Sequence, residues 1–223
     1  MLNTERHALL YLTETGRAQA WGLRERPQKM DRAVWTAYPK VPAISRGRKT
    51  REGLLCVGFS YPVRREGRRY RIASFVSEDQ VISALSPWEV LGYAYKKNAL
   101  TKRIHAVSEI AHRSKLRLGI FGASALELVT GLPYLYAGSD LDLVIDAAGE
   151  ELLNKFYVDL AAWEAESGIQ ADVELRLGSN CCCKLKELMS KQCSILCKGE
   201  AEPFLLSRRS IQESLKSADK NIK

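Results

Sequence analysis

The chain has 223 residues, which is enough for one large domain or two small ones, and its composition is that of a globular protein. It has no run of about 18 apolar residues and no signal-peptide core, so we expect a cytoplasmic protein without membrane contact. The net charge of +8 is uneven, since residues 1–80 carry 16 basic and eight acidic side chains whereas residues 81–223 carry 18 of each. A localised positive field suits a nucleotide, a nucleic acid or an acidic protein, although a solvated basic surface is the commoner outcome for charge runs.

The first third of the chain predicts short strands broken by turns. Residues 54–59 form an apolar run and residues 70–76 roughly alternate, which is typical of a β-hairpin. Gly67 can take the positive φ of the turn, so we expect the arginines of segment Arg64–Arg69 to project into solvent at the tip. We assign residues 1–85 to a basic, strand-rich N-terminal domain.

A second domain is predicted over residues 86–215, followed by a frayed tail over residues 216–223. Ser86 and Glu89 form a capping box around a proline that suits the first helical position, so a helix begins here. A largely helical stretch then continues toward Ser114, with apolar side chains recurring on one face.

The rest of the second domain alternates between strands and helices. A second capping box, Ser124 with Glu127, predicts a short helix that stops before Gly131, and residues 149–167 form an amphipathic helix ended by Gly168. Strands are predicted at residues 116–121, 139–145, 169–177, 194–198 and 203–207. This alternation indicates an α/β or α+β sheet domain.

Asp140 and Asp142 are the first candidates for catalytic chemistry. Side chains at i and i+2 of a strand point to one face, with Cα atoms about 6.6 Å apart. Two such carboxylates can hold hard cations, and a pair of bound ions can stabilise the attacking and leaving oxygens of a phosphoryl displacement. A solvated strand face explains most Asp-x-Asp pairs, so the neighbouring segments decide the interpretation.

Two neighbouring segments support a phosphate and metal site. Gly122 and Ser124 stand where a buried strand passes into a helix, so a phosphate can approach the backbone and the helix N-terminus, while Ser124 also serves as the helix cap. A third carboxylate is expected from the strand that carries Asp172 and Glu174, and we favour Asp172 as the third metal ligand. The alternative is a pair of exposed strand acids.

At these residues the chain resembles the nucleotidyltransferases of the DNA polymerase β superfamily. The segment Phe121–Tyr136, with its Thr-Gly-Leu-Pro-Tyr-Leu sequence, followed by Ser139–Leu143, resembles more closely the phosphoribosyl-dephospho-CoA transferases, also called malonate decarboxylase holo-acyl carrier protein synthases. Val41–Arg46 is similar to a basic Pro-x-x-x-Arg segment of that family, and Ser194–Lys198 to a late strand that ends in lysine. The family commonly has Gly-Ser-Ala-Ala where this chain has a glycine, Ala123, a serine and an alanine.

The resemblance implies an α+β fold, in which the basic N-terminal domain precedes a DNA polymerase β-like nucleotidyltransferase domain with a mixed sheet and flanking helices. It implies transfer of the prosthetic group from 2′-(5″-triphosphoribosyl)-3′-dephospho-CoA to a serine of the acyl carrier protein subunit of malonate decarboxylase, with release of pyrophosphate. Mg²⁺ is the implied cofactor, held by Asp140 and Asp142. Arg46 and Lys198 are the implied substrate-binding residues, together with Gly122 and Ser124.

The basic residues leave two assignments open. Arg46, Arg48 and Lys49 can clamp the triphosphate or the CoA diphosphate of the donor, or the hairpin Arg64–Arg71 can dock an acidic carrier protein. The sequence does not identify the catalytic base.

The six cysteines are predicted to be reduced thiols. Three of them, Cys181–Cys183, are consecutive and cannot all point the same way from a regular element, and only Cys193 and Cys197 have a spacing suited to zinc. A zinc site is the alternative that we weigh less.

Two other functions fit parts of the sequence. The first is a different minimal nucleotidyltransferase that uses ATP, which would share the catalytic aspartates and differ in its donor. The second is a non-catalytic nucleic-acid-binding protein that uses the basic N-terminal region. We do not favour the second, because the sequence has no recognisable nucleic-acid motif and no aromatic stacking platform.

Overall fold

The protein is α+β in a computed structural model that describes residues 4–25, 31–65, 67–95, 98–178, 181–199 and 202–220. The first sheet consists of β1 (Leu9–Leu12), β2 (Ala43–Lys49), β3 (Leu55–Arg65), β4 (Arg68–Val76) and β5 (Val81–Leu85). Its order is β4-β3-β2-β1-β5, and all neighbours are antiparallel. The hairpin of β3 and β4 was predicted, and Gly67 takes the expected positive φ of 74°.

The first third also contains two helices, where the sequence predicted only strands and turns. Helix α1 (Glu14–Gly22) begins after Thr13, whose hydroxyl accepts a hydrogen bond from the Gly16 amide. Helix α2 (Arg32–Ala37) begins after Asp31, whose carboxylate caps it. Both helices are too short for an apolar periodicity to be recognised, so their side-chain caps were the only local signal.

The second sheet is mixed and carries helices against it. Its strands are β6 (Leu118–Ile120), β7 (Leu141–Asp146), β8 (Ala171–Arg176), β9 (Cys182–Lys184), β10 (Ser194–Lys198) and β11 (Phe204–Ser207). Their order is β11-β10-β9-β8-β7-β6; β7 and β8 are parallel, and the other neighbours are antiparallel. The helices are α3 (Pro87–Val90), α4 (Ala99–Arg113), α5 (Gly122–Thr130), α6 (Glu150–Ser167), α7 (Leu185–Met189) and α8 (Arg208–Lys220).

The predicted helix ends were partly right. The capping box of Ser86 and Glu89 at α3 is confirmed, and Gly168 ends α6 in the left-handed conformation. The prediction that Ser124 caps a helix is wrong, because α5 begins at Gly122 and places Ser124 inside its first turn. The predicted frayed tail is helical as far as Lys220, and residues 221–223 lie outside the described residues.

Helix α8 continues because it is anchored to the protein. Ile211 and Leu215, four residues apart, are buried in the larger of two hydrophobic cores, which the second sheet and its helices enclose. The smaller core lies under the first sheet. Strand β1 contributes to both cores, because Leu9 packs into the larger one and Leu10 into the smaller one.

A hydrogen bond and an aromatic contact also join the two sheets. Tyr134 is buried, and its hydroxyl donates a hydrogen bond of 2.9 Å to the Ser60 carbonyl oxygen on β3. The His7 ring, just before β1, stacks on Phe121 with centroids 3.9 Å apart.

No helix in the described part of the chain is long and apolar enough to cross a bilayer.

Candidate functional site

Three aspartates come together at the beginning of the parallel strand pair. Asp142 on β7 and Asp172 on β8 are direct register partners, and Asp140 lies one residue before β7. One ligand oxygen from each of the three lies within 4.8 Å of the others. The structure therefore brings together the three residues that were predicted as metal ligands, which we call the aspartate triad.

Strand alternation explains why the triad faces outward. Leu141 and Leu143 on β7 are buried in the larger core, so the aspartate between them points to the other side of the sheet. On β8, Ala171 and Val173 are buried in the same way around Asp172. Apolar anchors on one face of each strand thus fix the carboxylates on the other.

Gly122 allows the Asp142 carboxylate to reach the helix that follows β6. The amide of Ala123 donates a hydrogen bond of 3.2 Å to Asp142 Oδ2, so a strand residue caps α5 in place of Ser124. A Cβ atom at residue 122 would lie 2.0 Å from that same oxygen, and Gly122 has a φ of +63°. Both observations require glycine here.

The triad concentrates negative charge in a partly buried place. Burial raises the pKa of the Asp142 carboxyl to about 6, and the Asp140 and Asp172 carboxylates add to the rise. A bound cation would relieve this repulsion. Three clustered carboxylates offer the oxygen ligands that Mg²⁺ prefers, so the residues present fit a magnesium site.

Asp172 and Glu174 have different surroundings, which separates the two candidates for the third ligand. Asp172 belongs to the triad and also receives a hydrogen bond of 2.9 Å from Lys184 Nζ. Glu174 is buried, with His7 Nε2 2.8 Å from its Oε2 and Lys198 Nζ 2.5 Å from its Oε1. Burial alone would raise the pKa of Glu174, but His7 and Lys198 hold it well below its usual range.

A cleft of about 1250 Å³ opens along the same face of the second sheet. Val144 and Glu174, each two residues beyond a triad member on its strand, are on its wall, so the cleft begins next to the triad. The predicted substrate-binding residues Arg46 and Lys198 line it. Five more basic side chains do so as well, namely Arg6, Arg48, Lys49, Arg51 and Arg176.

The other predicted substrate-binding residue, Ser124, is in a different position. It is fully buried, and its Oγ atom has no hydrogen-bond partner among the described residues. Its place in the first turn of α5 leaves the backbone amide of Ala123, rather than the serine hydroxyl, in contact with the triad.

Sequence reasoning missed the residues before β1. His7 and Arg6 both contact Glu174, the latter at 3.6 Å, and Glu5 pairs with Arg176 at 2.5 Å. The unusual feature of the segment is the positive φ of His7, 71°, which is seen only in the structure. No local pattern could have connected residues that are about 170 positions apart.

All six cysteines are free thiols; Cys56 lies on β3, and the other five lie on or beside β9 and β10. Cys183 and Cys197 are register partners on β9 and β10, and both are buried in the larger core. Cys182 points to the other face, where its Sγ lies 3.3 Å from Glu174 Oε2, and burial raises the pKa of this thiol to about 12.

Comparison with known proteins identifies the family. The model of the phosphoribosyl-dephospho-CoA transferase MdcG C-terminal domain matches residues 90–209, and that of the MdcG N-terminal domain matches residues 5–87. The chain belongs to the phosphoribosyl-dephospho-CoA transferase family. The predicted resemblance is therefore confirmed, and both parts of the chain belong to this family of transferases.

Individual members of the family cover nearly the whole chain. A phosphoribosyl-dephospho-CoA transferase of Xanthomonas axonopodis pv. citri is 26% identical over 92% of this chain and 95% of its own length. One of Xanthomonas campestris pv. campestris is 27% identical with the same coverage. One of Bradyrhizobium diazoefficiens is 25% identical over 91% and 90%. No solved structure gives a significant match to the chain.

Replacing Gly122 by alanine should damage the triad, and Gly131→Ala is a matched control. Both glycines lie at the ends of α5 with positive φ, so both variants carry about 1 kcal/mol of backbone strain, but only residue 122 has the carboxylate in the space of a Cβ atom. We expect Gly122→Ala to weaken Mn²⁺ or Mg²⁺ binding at least tenfold, measured by calorimetry, and Gly131→Ala to leave it within twofold. Equal affinities in the two variants would contradict this account.

Asp142→Asn should stabilise the metal-free protein at neutral pH. Burial raises the folded-state pKa of Asp142 to about 6, so the cost of ionising it begins near the unfolded-state pKa of about 4 and is fully present above pH 6; the neutral amide removes that cost. In chemical denaturation with a chelator we expect a gain of about 1–2 kcal/mol at pH 7.5 that shrinks below pH 6 and largely disappears near about pH 3.5. Asp159→Asn, on the exposed face of α6, should give no gain; a destabilised Asp142→Asn protein at pH 7.5 would refute the prediction.

Proposed function

We propose that the protein transfers the 2′-(5″-phosphoribosyl)-3′-dephospho-CoA prosthetic group from its triphosphate precursor to a serine of the malonate decarboxylase acyl carrier protein. The observation that carries the proposal is the aspartate triad beside the glycine-led start of α5, in a chain that belongs to this transferase family. Such an arrangement suits nucleotidyl transfer, as in DNA polymerase β-like enzymes.

The proposed reaction is a displacement at phosphorus. The carrier serine oxygen forms a bond to the α-phosphorus of the donor while the bond from that phosphorus to the bridging oxygen of the β-phosphate breaks. Pyrophosphate leaves with the bonding electron pair, and the hydroxyl proton passes to a carboxylate of the triad. The product is a phosphodiester between the carrier and the prosthetic group.

Asp140, Asp142 and Asp172 would hold the magnesium. When bound, Mg²⁺ would neutralise the triphosphate and lower the pKa of the attacking hydroxyl. Asp142 is oriented for this role by the Ala123 amide, and Asp172 by its register pairing and by Lys184. Preorganised ligands of this kind lower the cost of assembling the site for each turnover.

The remainder of the donor fits the basic cleft. The cleft is larger than the roughly 300–1,000 Å³ usual for small ligands, and the donor is a large nucleotide. Arg46 stands on its wall and would pair with the CoA diphosphate. The space over Gly122 holds the Asp142 carboxylate, so we assign Gly122 to positioning the triad rather than to binding a phosphate. Lys198 is held by Glu174, so we assign it to the wall of the pocket, where it keeps that buried carboxylate ionised.

The two parts of the chain would then have different tasks. Residues 86–215 form the catalytic nucleotidyltransferase domain and carry the triad, whereas residues 1–85 supply most of the basic cleft wall. The excess positive charge of the first part also favours encounter with an acidic carrier protein in the cytoplasm. Positive side chains of the protein would therefore recognise both the phosphates of the donor and the acidic carrier protein.

Intact-mass spectrometry of the acyl carrier subunit tests the proposed function. Incubation with the protein, the triphosphoribosyl donor and Mg²⁺ should add the mass of the prosthetic group and release one pyrophosphate per carrier. A carrier with alanine in place of the acceptor serine should stay unmodified. Transfer from ATP in place of the donor would indicate the rival ATP-using nucleotidyltransferase, and an unmodified carrier with folded protein present would refute the proposal.

A further inference from the structure

The β3–β4 hairpin brings three arginine side chains close together. Arg64 and Arg69 are direct register partners, and Arg71 lies two residues after Arg69 on the same side of β4. Burial lowers the pKa of Arg69, and the positive charges of Arg71 and Arg64 add to the shift because like charges at this spacing repel. Like charges placed opposite each other destabilise a sheet.

The described residues place no carboxylate in an ion pair with these three arginines. Among the residues that the structure describes, the carboxylates that pair with arginine pair with Arg6, Arg117, Arg176 and Arg209, and none lies within 4.0 Å of a guanidinium nitrogen of the hairpin arginines. The Nε atom of Arg69 is buried without a hydrogen-bond partner. A cluster of cations without an ion-paired carboxylate attracts anions from outside the chain.

The cluster is fixed against the segment that leads to the triad. Arg69 Nη2 donates a hydrogen bond of 2.6 Å to the Tyr134 carbonyl oxygen, and Arg64 Cζ lies 3.7 Å above the centre of the Tyr136 ring. The Tyr136 amide in turn donates to Ser139 Oγ at 3.1 Å, one residue before Asp140. The positive charge of Arg71 also reaches Asp142, whose pKa it lowers.

The expectation that the hairpin arginines project into solvent is confirmed for Arg64 and Arg68 but is wrong for Arg69. Arg69 is half-buried, and both Arg69 and Arg64 are held by aromatic residues of the neighbouring segment. Arg68, which is exposed like Arg64 and Arg71, lies on the opposite side of β4 from Arg69. One face of the hairpin therefore points toward the triad and the other away from it.

We infer, on the basis of the proposed function, that Arg64, Arg69 and Arg71 bind the β- and γ-phosphates of the donor triphosphate, which leave as pyrophosphate. Planar guanidinium groups bind phosphate oxygens by paired hydrogen bonds, and three of them match the charge of a pyrophosphate group. The aspartate triad lies on one side of this position. The α-phosphorus would then lie between the triad and the arginine cluster, which places the leaving group away from the attacking oxygen.

The side of the hairpin that carries Arg64, Arg69 and Arg71 would therefore bind the donor and not dock the carrier protein. Side chains held by stacking lose less conformational entropy when an anion binds, which suits a fixed small ligand. The exposed Arg68 side of the hairpin stays available for an encounter with a protein.

Binding of inorganic tripolyphosphate tests the inference without transfer activity and without divalent metal. In calorimetry at fixed ionic strength with a chelator, we expect Arg71→Gln and Arg64→Gln each to weaken binding about tenfold, since each removes charge-assisted hydrogen bonds. Arg68→Gln removes the same charge from the same hairpin and should change the affinity less than twofold. Arg71→Lys should lie between Arg71→Gln and the unaltered protein, and thermal unfolding should verify that all variants are folded.

The outcomes separate this inference from the proposed function. Equal weakening in Arg68→Gln and Arg71→Gln would show a general charge effect and overturn the inference, as would no binding of tripolyphosphate by the unaltered protein. Asp142→Asn should bind tripolyphosphate at least as well as the unaltered protein, because a repelling carboxylate is removed. An unmodified carrier in the transfer assay, together with arginine-dependent tripolyphosphate binding, would refute the proposed donor and acceptor but keep the polyphosphate site.

Discussion

The close approach of Gly122 to the Asp142 carboxylate is the constraint on which the site depends. It lets a residue of β7 cap α5 through the Ala123 amide, so the strand and the helix hold each other in place. The same contact sets the Asp142 carboxylate toward Asp172, its partner on the parallel strand β8. Any side chain at residue 122 would separate these groups, so the local backbone conformation and the geometry of the triad are one feature.

Charged side chains from the two parts of the chain lie against each other beside this contact. The second sheet presents carboxylates along one face of β7 and β8, and the residues before β1 and the end of β2 bring basic groups against them. Glu174 is paired inside the protein with Lys198 and is hydrogen-bonded to His7. The three carboxylates of the triad have one directly paired lysine, Lys184, and the described residues place no carboxylate in an ion pair with the hairpin arginines. Clustered like charges cost stability, and the proposed binding of metal and polyphosphate would offset that cost.

Much of this architecture could be predicted from local patterns. The strand that carries Asp142, the helix ended by Gly168 and the capping box at Ser86 all depend on neighbours within a few residues. The errors came from long-range partners. Ser124 with Glu127 has the pattern of a capping box, but Asp142 supplies the cap, and Glu127 instead accepts hydrogen bonds from the amides of Tyr134 and Leu135. Arg69 was expected in solvent but is half-buried, because nothing in its own segment indicates Tyr134, whose carbonyl oxygen accepts its hydrogen bond.

The most direct test of the central claim is the rate of carrier modification by Asp140→Asn and Asp142→Asn across a range of Mg²⁺ concentrations. Neither substitution removes a buried apolar atom, so both proteins should fold, as thermal unfolding can verify. If the triad holds the catalytic metal, both variants should lose transfer by a factor on the order of a hundred or more, since oriented charge stabilisation contributes several kcal/mol to such reactions. Asp159→Asn should retain the full rate. Near-normal transfer by both triad variants at low Mg²⁺ would show that the metal, or the chemistry, lies elsewhere.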